Sequence, residues 1–205
     1  TATWRYSYNG DGQVAVAGIN MFYPNLIFSG SHDFVGINEI FKGSSGACTI
    51  KGDLTINSGA IVYHNMGNDI TVQGNLNVSG TFSNELLTAG QFAVTGHRLI
   101  VQGNITNSGI TNFSSGTAAS NEGVIQMEGS SISTNADNLS CNRYNNAAGG
   151  NVSLTGGNLV VEETFDFATT GLLATGGNEV KIQTANTAAF SNPSEADRYV
   201  NGNIR

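Results

Sequence analysis

The chain is short of several things, and each shortage narrows what it can be. Its 205 residues include two prolines, two cysteines and one tryptophan, and only 11% are charged, against ~25% in ordinary soluble domains. Low charge with so little proline argues for an ordered chain, since disordered segments usually carry high net charge. No apolar run approaches the ~20 residues that a helical membrane span needs. The formal charge is −7 and no basic stripe is present, which counts against a nucleic-acid partner. A phosphate-cradling loop, a zinc-ligand pattern and a Gly-x-Ser-x-Gly elbow are missing too.

Abundant instead are glycine, with 27 residues, and asparagine, with 26. The stretch Ile70-Thr71-Val72-Gln73-Gly74-Asn75-Leu76-Asn77-Val78-Ser79-Gly80-Thr81-Phe82 shows how they are used. Ile70, Val72, Leu76, Val78 and Phe82 share one parity, and the polar residues take the other. A period of two puts the apolar side chains on one face of an extended chain. The run exceeds an ordinary strand of ~5–6 residues, so two strands joined near Gly74-Asn75 are expected.

Echoes of this stretch recur. Ile50-Lys51-Gly52-Asp53-Leu54-Thr55-Ile56-Asn57-Ser58-Gly59 precedes it, and Val101-Gln102-Gly103-Asn104-Ile105-Thr106-Asn107-Ser108-Gly109 follows. Gly52 and Gly74 are 22 residues apart, and Gly74 and Gly103 are 29 apart. Repeats at 20–50 residues signal a stacked architecture. With short strands and no convincing helix, the natural solution is a parallel β-helix whose coils bury one another's inner faces. Glycine and asparagine suit its corners, where a positive φ is often required. The fold expected is therefore all-β: one right-handed parallel β-helix of roughly six to eight coils, about 30–40 Å long at strand spacing.

Cys48 and Cys141 test this picture. They are 93 residues apart, nearly four coils, or ~18 Å along the axis at ~4.8 Å per coil. Bridged Cα atoms lie within ~7 Å. Both are expected to be free, buried thiols unless Cys141 sits on a loop that folds back.

In chain order, 1–24 reads as an N-terminal coil whose aromatics Trp4, Tyr6 and Tyr8 cap the core; a sugar-stacking platform is the sharper alternative. Asn9-Gly10-Asp11-Gly12 reads as a turn, because the further oxygen ligands of a calcium loop do not follow. Residues 25–113 are the regular coils, with an added loop or strand in 81–98. Residues 114–150 look looser, with loops at Ser114–Asn121 and Arg143–Gly150 around a strand at Val124–Met127. Coils resume over 151–190, and 191–205 begins a continuing segment. The chain opens at Thr1 without methionine or signal peptide and stops inside an apparent strand. A piece of a larger polypeptide is expected, with neighbouring modules as its caps.

Tyr23-Pro24-Asn25-Leu26-Ile27-Phe28-Ser29-Gly30, the 50–60 stretch, the 70–83 stretch and the closing Tyr199–Arg205 resemble the repeats of very large cell-surface proteins of the Bacteroidota. These include gliding-motility adhesins exported by the type 9 secretion system; filamentous-haemagglutinin-type adhesins are a looser likeness. The resemblance covers most of the chain. It implies an extracellular, surface-displayed, adhesive or passive structural role, with surface glycans or the secretion and motility machinery as partners. It brings no catalytic residue, cofactor or metal ligand, and the sorting domain of a type 9 substrate is not in this sequence.

Two other classes were weighed. Many parallel β-helices cleave polysaccharides, which takes clustered carboxylates, or carboxylate-held calcium with a base. Here the acids are scattered; Glu162, Asp166 and an acid of a neighbouring coil are the one set that could converge. Gly96-His97-Arg98 is the nearest approach to a Gly-His-Gly signature, and His32, His64 and His97 are 32 and 33 residues apart, which fits coil stacking only loosely. An ice-binding solenoid would need a regular Thr-x-Thr array, and only Thr1-Ala2-Thr3 has that spacing. The expectation is a non-catalytic spacer or glycan-contacting segment, with a polysaccharide lyase or hydrolase as the alternative.

Overall fold

The computed structural model describes residues 2–8, 22–30, 33–34, 48–64, 68–84, 97–115, 122–168, 170–184, 189–191, 193 and 199–205. Asn9–Gly12, His32 and most of the 81–98 insertion lie outside them.

The described residues form strands without a helix, and every strand pairing is parallel. The chain is a parallel β-helix. In the regular coils three short strands make one turn: β5 (Cys48–Ile50), β6 (Leu54–Ile56) and β7 (Ile61–Tyr63), then β8 (Ile70–Val72), β9 (Leu76–Val78) and β10 (Thr81–Ser83), then β11 (Arg98–Val101), β12 (Ile105–Asn107) and β13 (Ile110–Phe113). Each strand pairs with its counterparts one coil below and one coil above. Below them, β2 (Phe22–Tyr23), β3 (Leu26–Gly30) and β4 (Asp33–Phe34) form a coil, with β1 (Trp4–Tyr8) beneath β3.

Above, the turns run on through longer strands. β14 (Val124–Met127) is followed by β15 (Ser131–Asn146), β16 (Val152–Phe167) and β17 (Leu173–Ile182), which wind round the corners, and the stack ends with β18 (Phe190–Ser191) and β19 (Val200–Ile204). Following the pairings gives eight coils, within the expected six to eight. At ~4.8 Å each they make a rod roughly 35–40 Å long.

Three stacked sheets result, called the first (β2, β5, β8, β11, β14), second (β1, β3, β6, β9, β12) and third (β4, β7, β10, β13) faces. Their inward residues form columns. Leu26, Leu54, Leu76, Ile105, Ile132 and Leu154 climb the second face, and Cys48, Ile70, Leu99, Ile125, Tyr144 and Phe165 the first. All are at most 3% exposed. The strands alternate buried and partly exposed residues, as at Leu54–Ile56 and Ile70–Val72, which is why the period of two was visible in the sequence.

Two expectations need correction. Arg143–Gly150 was read as a loop, but Arg143–Asn146 is strand, pairing with β14 below and with Thr164–Phe167 above. Its asparagines conceal it: Tyr144 and Asn146 point inward and are fully buried or nearly so, so the inward column carries an amide where an apolar residue is the usual signal. The second correction concerns glycine. Gly52, Gly74 and Gly103 are not among the residues with positive φ. A methyl group at Gly74 would stand 2.5 Å from Asp53 Oδ1 and from the Gly52 carbonyl carbon; at Gly103 it would stand 2.6 Å from the Gly74 carbonyl carbon. These glycines let corners stack at strand spacing, and backbone conformation is not the reason.

Beside each stacked glycine runs a ladder. The Asp53 amide donates to Asn25 Oδ1 at 2.9 Å, Asn75 N to Asp53 Oδ1 at 2.7 Å, Asn104 N to Asn75 Oδ1 at 2.9 Å and Ser131 N to Asn104 Oδ1 at 3.1 Å. The side chains thus satisfy amides that the turn removes from the sheets.

Gly74→Ala is expected to lower stability by about 1–3 kcal/mol through overpacking, and Asn75→Ala by about 1 kcal/mol through the lost amide partner. Urea denaturation checks both. A Gly74→Ala chain as stable as the parent would refute the close-stacking account.

Candidate functional site

The charged groups are placed by the stacking. Asp69 and Arg98 are 29 residues apart but one coil apart in space. The Arg98 guanidinium donates to Asp69 Oδ2 from Nη2 at 2.6 Å and from Nε at 3.1 Å. This partnership raises the Arg98 pKa further, the hydrogen bond that Arg98 donates to the Asp69 side chain being the main cause. Arg143 is ion-paired with Asp166 one coil above. Asp137 accepts from Lys181 Nζ at 2.6 and 2.8 Å and from Asn158 Nδ2 at 2.7 Å; the Lys181 bond, then the Asn158 bond, holds its carboxyl below the usual carboxylate range. Glu128 accepts from Gln102 and Gln126.

The set Glu162–Asp166 was the one that could converge. Asp166 is instead committed to Arg143, and among the described residues no three His, Cys, Asp or Glu side chains group as metal ligands would. His64 is fully buried beside the Phe113 ring, with centroids 6.0 Å apart. Burial chiefly, then the charge of His97, pushes its pKa down to about 3, against an opposing effect of Asp69. It is a neutral core residue.

Cys48 and Cys141 are free and buried, on different faces three coils apart. Burial pushes the Cys48 thiol up to about 12 and raises Cys141 as well. Neither can serve as a thiolate nucleophile near neutral pH.

The outward surface of the second face is different in kind. Thr55, Asn77, Thr106, Ser133 and Thr155 form one vertical column, and Asn57, Ser79, Ser108 and Asn135 a second beside it. Ser108 Oγ lies 3.1 Å from Ser79 Oγ, and Asn135 Nδ2 donates to the Ser108 carbonyl at 3.3 Å. Over these coils the result is an uncharged field of hydroxyls and amides, and below it the column continues with Ile27 and Arg5. At the foot of the rod, Trp4 is 49% exposed and meets the buried Tyr23 ring edge-on at 6.0 Å, the contact a cap requires.

The corner between the first and second faces changes along the rod. In the lower coils it spans three residues: Lys51–Asp53, Gln73–Asn75, Gln102–Asn104 and Glu128–Ser130. Between Asn146 and Val152 it spans five, and again between Phe167 and Leu173. A cleft of about 320 Å³ lies there, lined by the Gly149–Asn151 corner, the Thr170–Leu172 corner and Tyr199. Sequence reading missed this cleft. The available signal was the five-residue gap in the inward pattern. A second hollow of about 330 Å³ holds the Asp137–Lys181 pair with Gln183 and Arg205.

No protein-family model, curated protein or solved structure matches the chain. Its class is accordingly given by the fold alone: a parallel β-helix, with no helix among the described residues long and apolar enough to cross a membrane.

Two outcomes are expected. Neutral His64 makes the folded state refuse a proton that the unfolded state takes up below its ordinary value of 6.5. Stability is therefore full above that pH and falls by about 1.4 kcal/mol per pH unit toward pH 3. Urea midpoints of wild type and His64→Phe between pH 7 and pH 4 check this: the variant should lose that share of the acid sensitivity. A thiol reagent such as DTNB should titrate neither cysteine in the native chain and both after denaturation; rapid native labelling would contradict the burial of Cys48 and Cys141.

Proposed function

We propose that this chain is a stiff, non-catalytic segment of a long extracellular surface protein, of the adhesin kind that its repeats resemble. It holds distal parts of the same polypeptide away from the cell and offers hydroxyl- and amide-rich faces to surface glycans. The observation that carries this reading is the continuous register of three parallel sheets over eight coils, tied at one edge by the Asn25–Asp53–Asn75–Asn104 ladder. A rod bonded round its perimeter resists bending about every transverse axis. The small, neutral side chains of the second face suit contact with a hydroxylated polymer, because short side chains lose little rotamer freedom when they bind.

The placement of the acids supports a passive role. Asp69, Asp137 and Asp166 are each engaged by a cation, and Glu128 by two amides. Asp137 is thereby a poor proton donor, since the Lys181 and Asn158 bonds stabilise its charged form. The buried thiols and the buried imidazole likewise stay out of solution.

Incubation with insoluble neutral polysaccharides should retain the chain while releasing no new reducing ends and no unsaturated sugars. Measurable release would replace this reading with a polysaccharide lyase or hydrolase. Antibodies to the chain should stain intact source cells; staining only after permeabilisation would overturn the surface assignment.

A further inference from the structure

The cleft at the corner between the first and second faces is a built feature with a single ring at its wall. In the lower coils the same corner is closed by glycines packed against one another's backbones. In the upper coils each corner carries two extra residues; Gly171 still packs on the Gly150 backbone, and the cleft is bounded by that contact together with Gly149, Asn151, Thr170, Leu172 and Tyr199. The ladder also slackens, with the Leu172 amide 3.4 Å from Asn151 Oδ1.

The three glycines of the cleft are there for different reasons. Gly171 must be glycine: its φ is +138° and a methyl group would stand 2.7 Å from the Gly150 carbonyl carbon. Gly149 has a φ of +64°, which favours glycine. Gly150 has neither constraint. Its φ is not positive, and a methyl group there would meet nothing within 4 Å. Folding leaves that position, which lines the cleft, open to other residues.

Among the described residues the lining is uncharged. It offers Asn151 and Thr170 as polar side chains, corner backbone between them, and the half-exposed Tyr199. A single exposed tyrosine is ordinary on a protein surface; one set beside a cleft lined largely by glycine backbone makes a one-sided sandwich. Among the described residues of the lining an ionic ligand finds no counter-charge. A flat, fully apolar ligand would leave the amide and hydroxyl unmatched. A neutral pyranose meets both demands, with C–H groups on one face for the ring and hydroxyls at its rim for Asn151, Thr170 and the backbone. We propose that this cleft is a subsite for one neutral sugar residue of a glycan chain, with Tyr199 as the stacking wall. This rests on the glycan-contacting role proposed above and gives it an address.

The test is saturation-transfer-difference NMR on the chain with cellohexaose, mannohexaose and chitohexaose as probes. Transfer to at least one hexaose is expected. Tyr199→Ala and Gly150→Leu should each weaken it about tenfold, the factor that ~1.4 kcal/mol of lost contact gives, while Tyr199→Phe retains it. Gly150 lines the cleft and a Cβ there meets nothing within 4 Å, so an unchanged thermal transition should accompany the loss of binding in Gly150→Leu, and Tyr199→Ala gives the same reading by removing the wall. Binding by wild type with both variants equal to it overturns the subsite and leaves the broader glycan role standing. No transfer to any hexaose also overturns it; retention on insoluble polysaccharide then places glycan contact elsewhere, and failure of both removes the glycan role as well.

Discussion

Everything in this molecule depends on one vertical constraint: each coil must lie one strand spacing, ~4.8 Å, above the last, at its corners as well as along its faces. On the faces the sheets meet that spacing without help. At a corner the chain turns, side chains crowd, and amides leave the ladder. Gly52, Gly74 and Gly103 remove the crowding, and Asn25, Asp53, Asn75 and Asn104 supply the missing acceptors. The repeated Gly-Asn pair is one solution to one mechanical problem, used in coil after coil.

The same constraint explains the electrostatics. Residues one coil apart in space are 23 to 29 apart in sequence at Arg143–Asp166 and Asp69–Arg98, so ion pairs join coils and not neighbours along the chain. It also disciplines the interior. Asn107 sits 1% exposed in the column above Phe28, Ile56 and Val78 and below Thr134; its amide donates to Thr134 Oγ1 and to the Asn138 carbonyl and accepts from Thr111 Oγ1. An inward polar residue is tolerated because the next coil brings partners to within reach.

The fold was legible in the sequence where the inward columns are purely aliphatic. Leu54, Ile56, Leu76 and Val78 announce two coils, and the 22-residue interval between Gly52 and Gly74 sets the turn length. Legibility failed where tertiary partners decide the role of a residue. Asn146 reads as a loop asparagine and is a core residue; Gly74 reads as a corner glycine of positive φ and is a spacer between backbones. The clustered acids of an enzyme could be neither seen nor dismissed from spacing alone, because Asp166 finds Arg143 only when coils are stacked. The cleft was invisible for a related reason: no residue type marks it, only the length of the corner.

That length is where the repeat stops being uniform, and uniformity is what a spacer needs. A rod built only for stiffness gains nothing by lengthening the corners at 147–151 and 168–172, since extra corner residues add ordering entropy and return little buried area. The lower coils show that this chain can close the same corner with three residues. The upper coils accept the cost, keep a required glycine at Gly171 beside an unconstrained one at Gly150, and leave Tyr199 at the rim. On the proposed reading, this departure from the three-residue corner is where the stack makes contact with a glycan, while the faces carry the load.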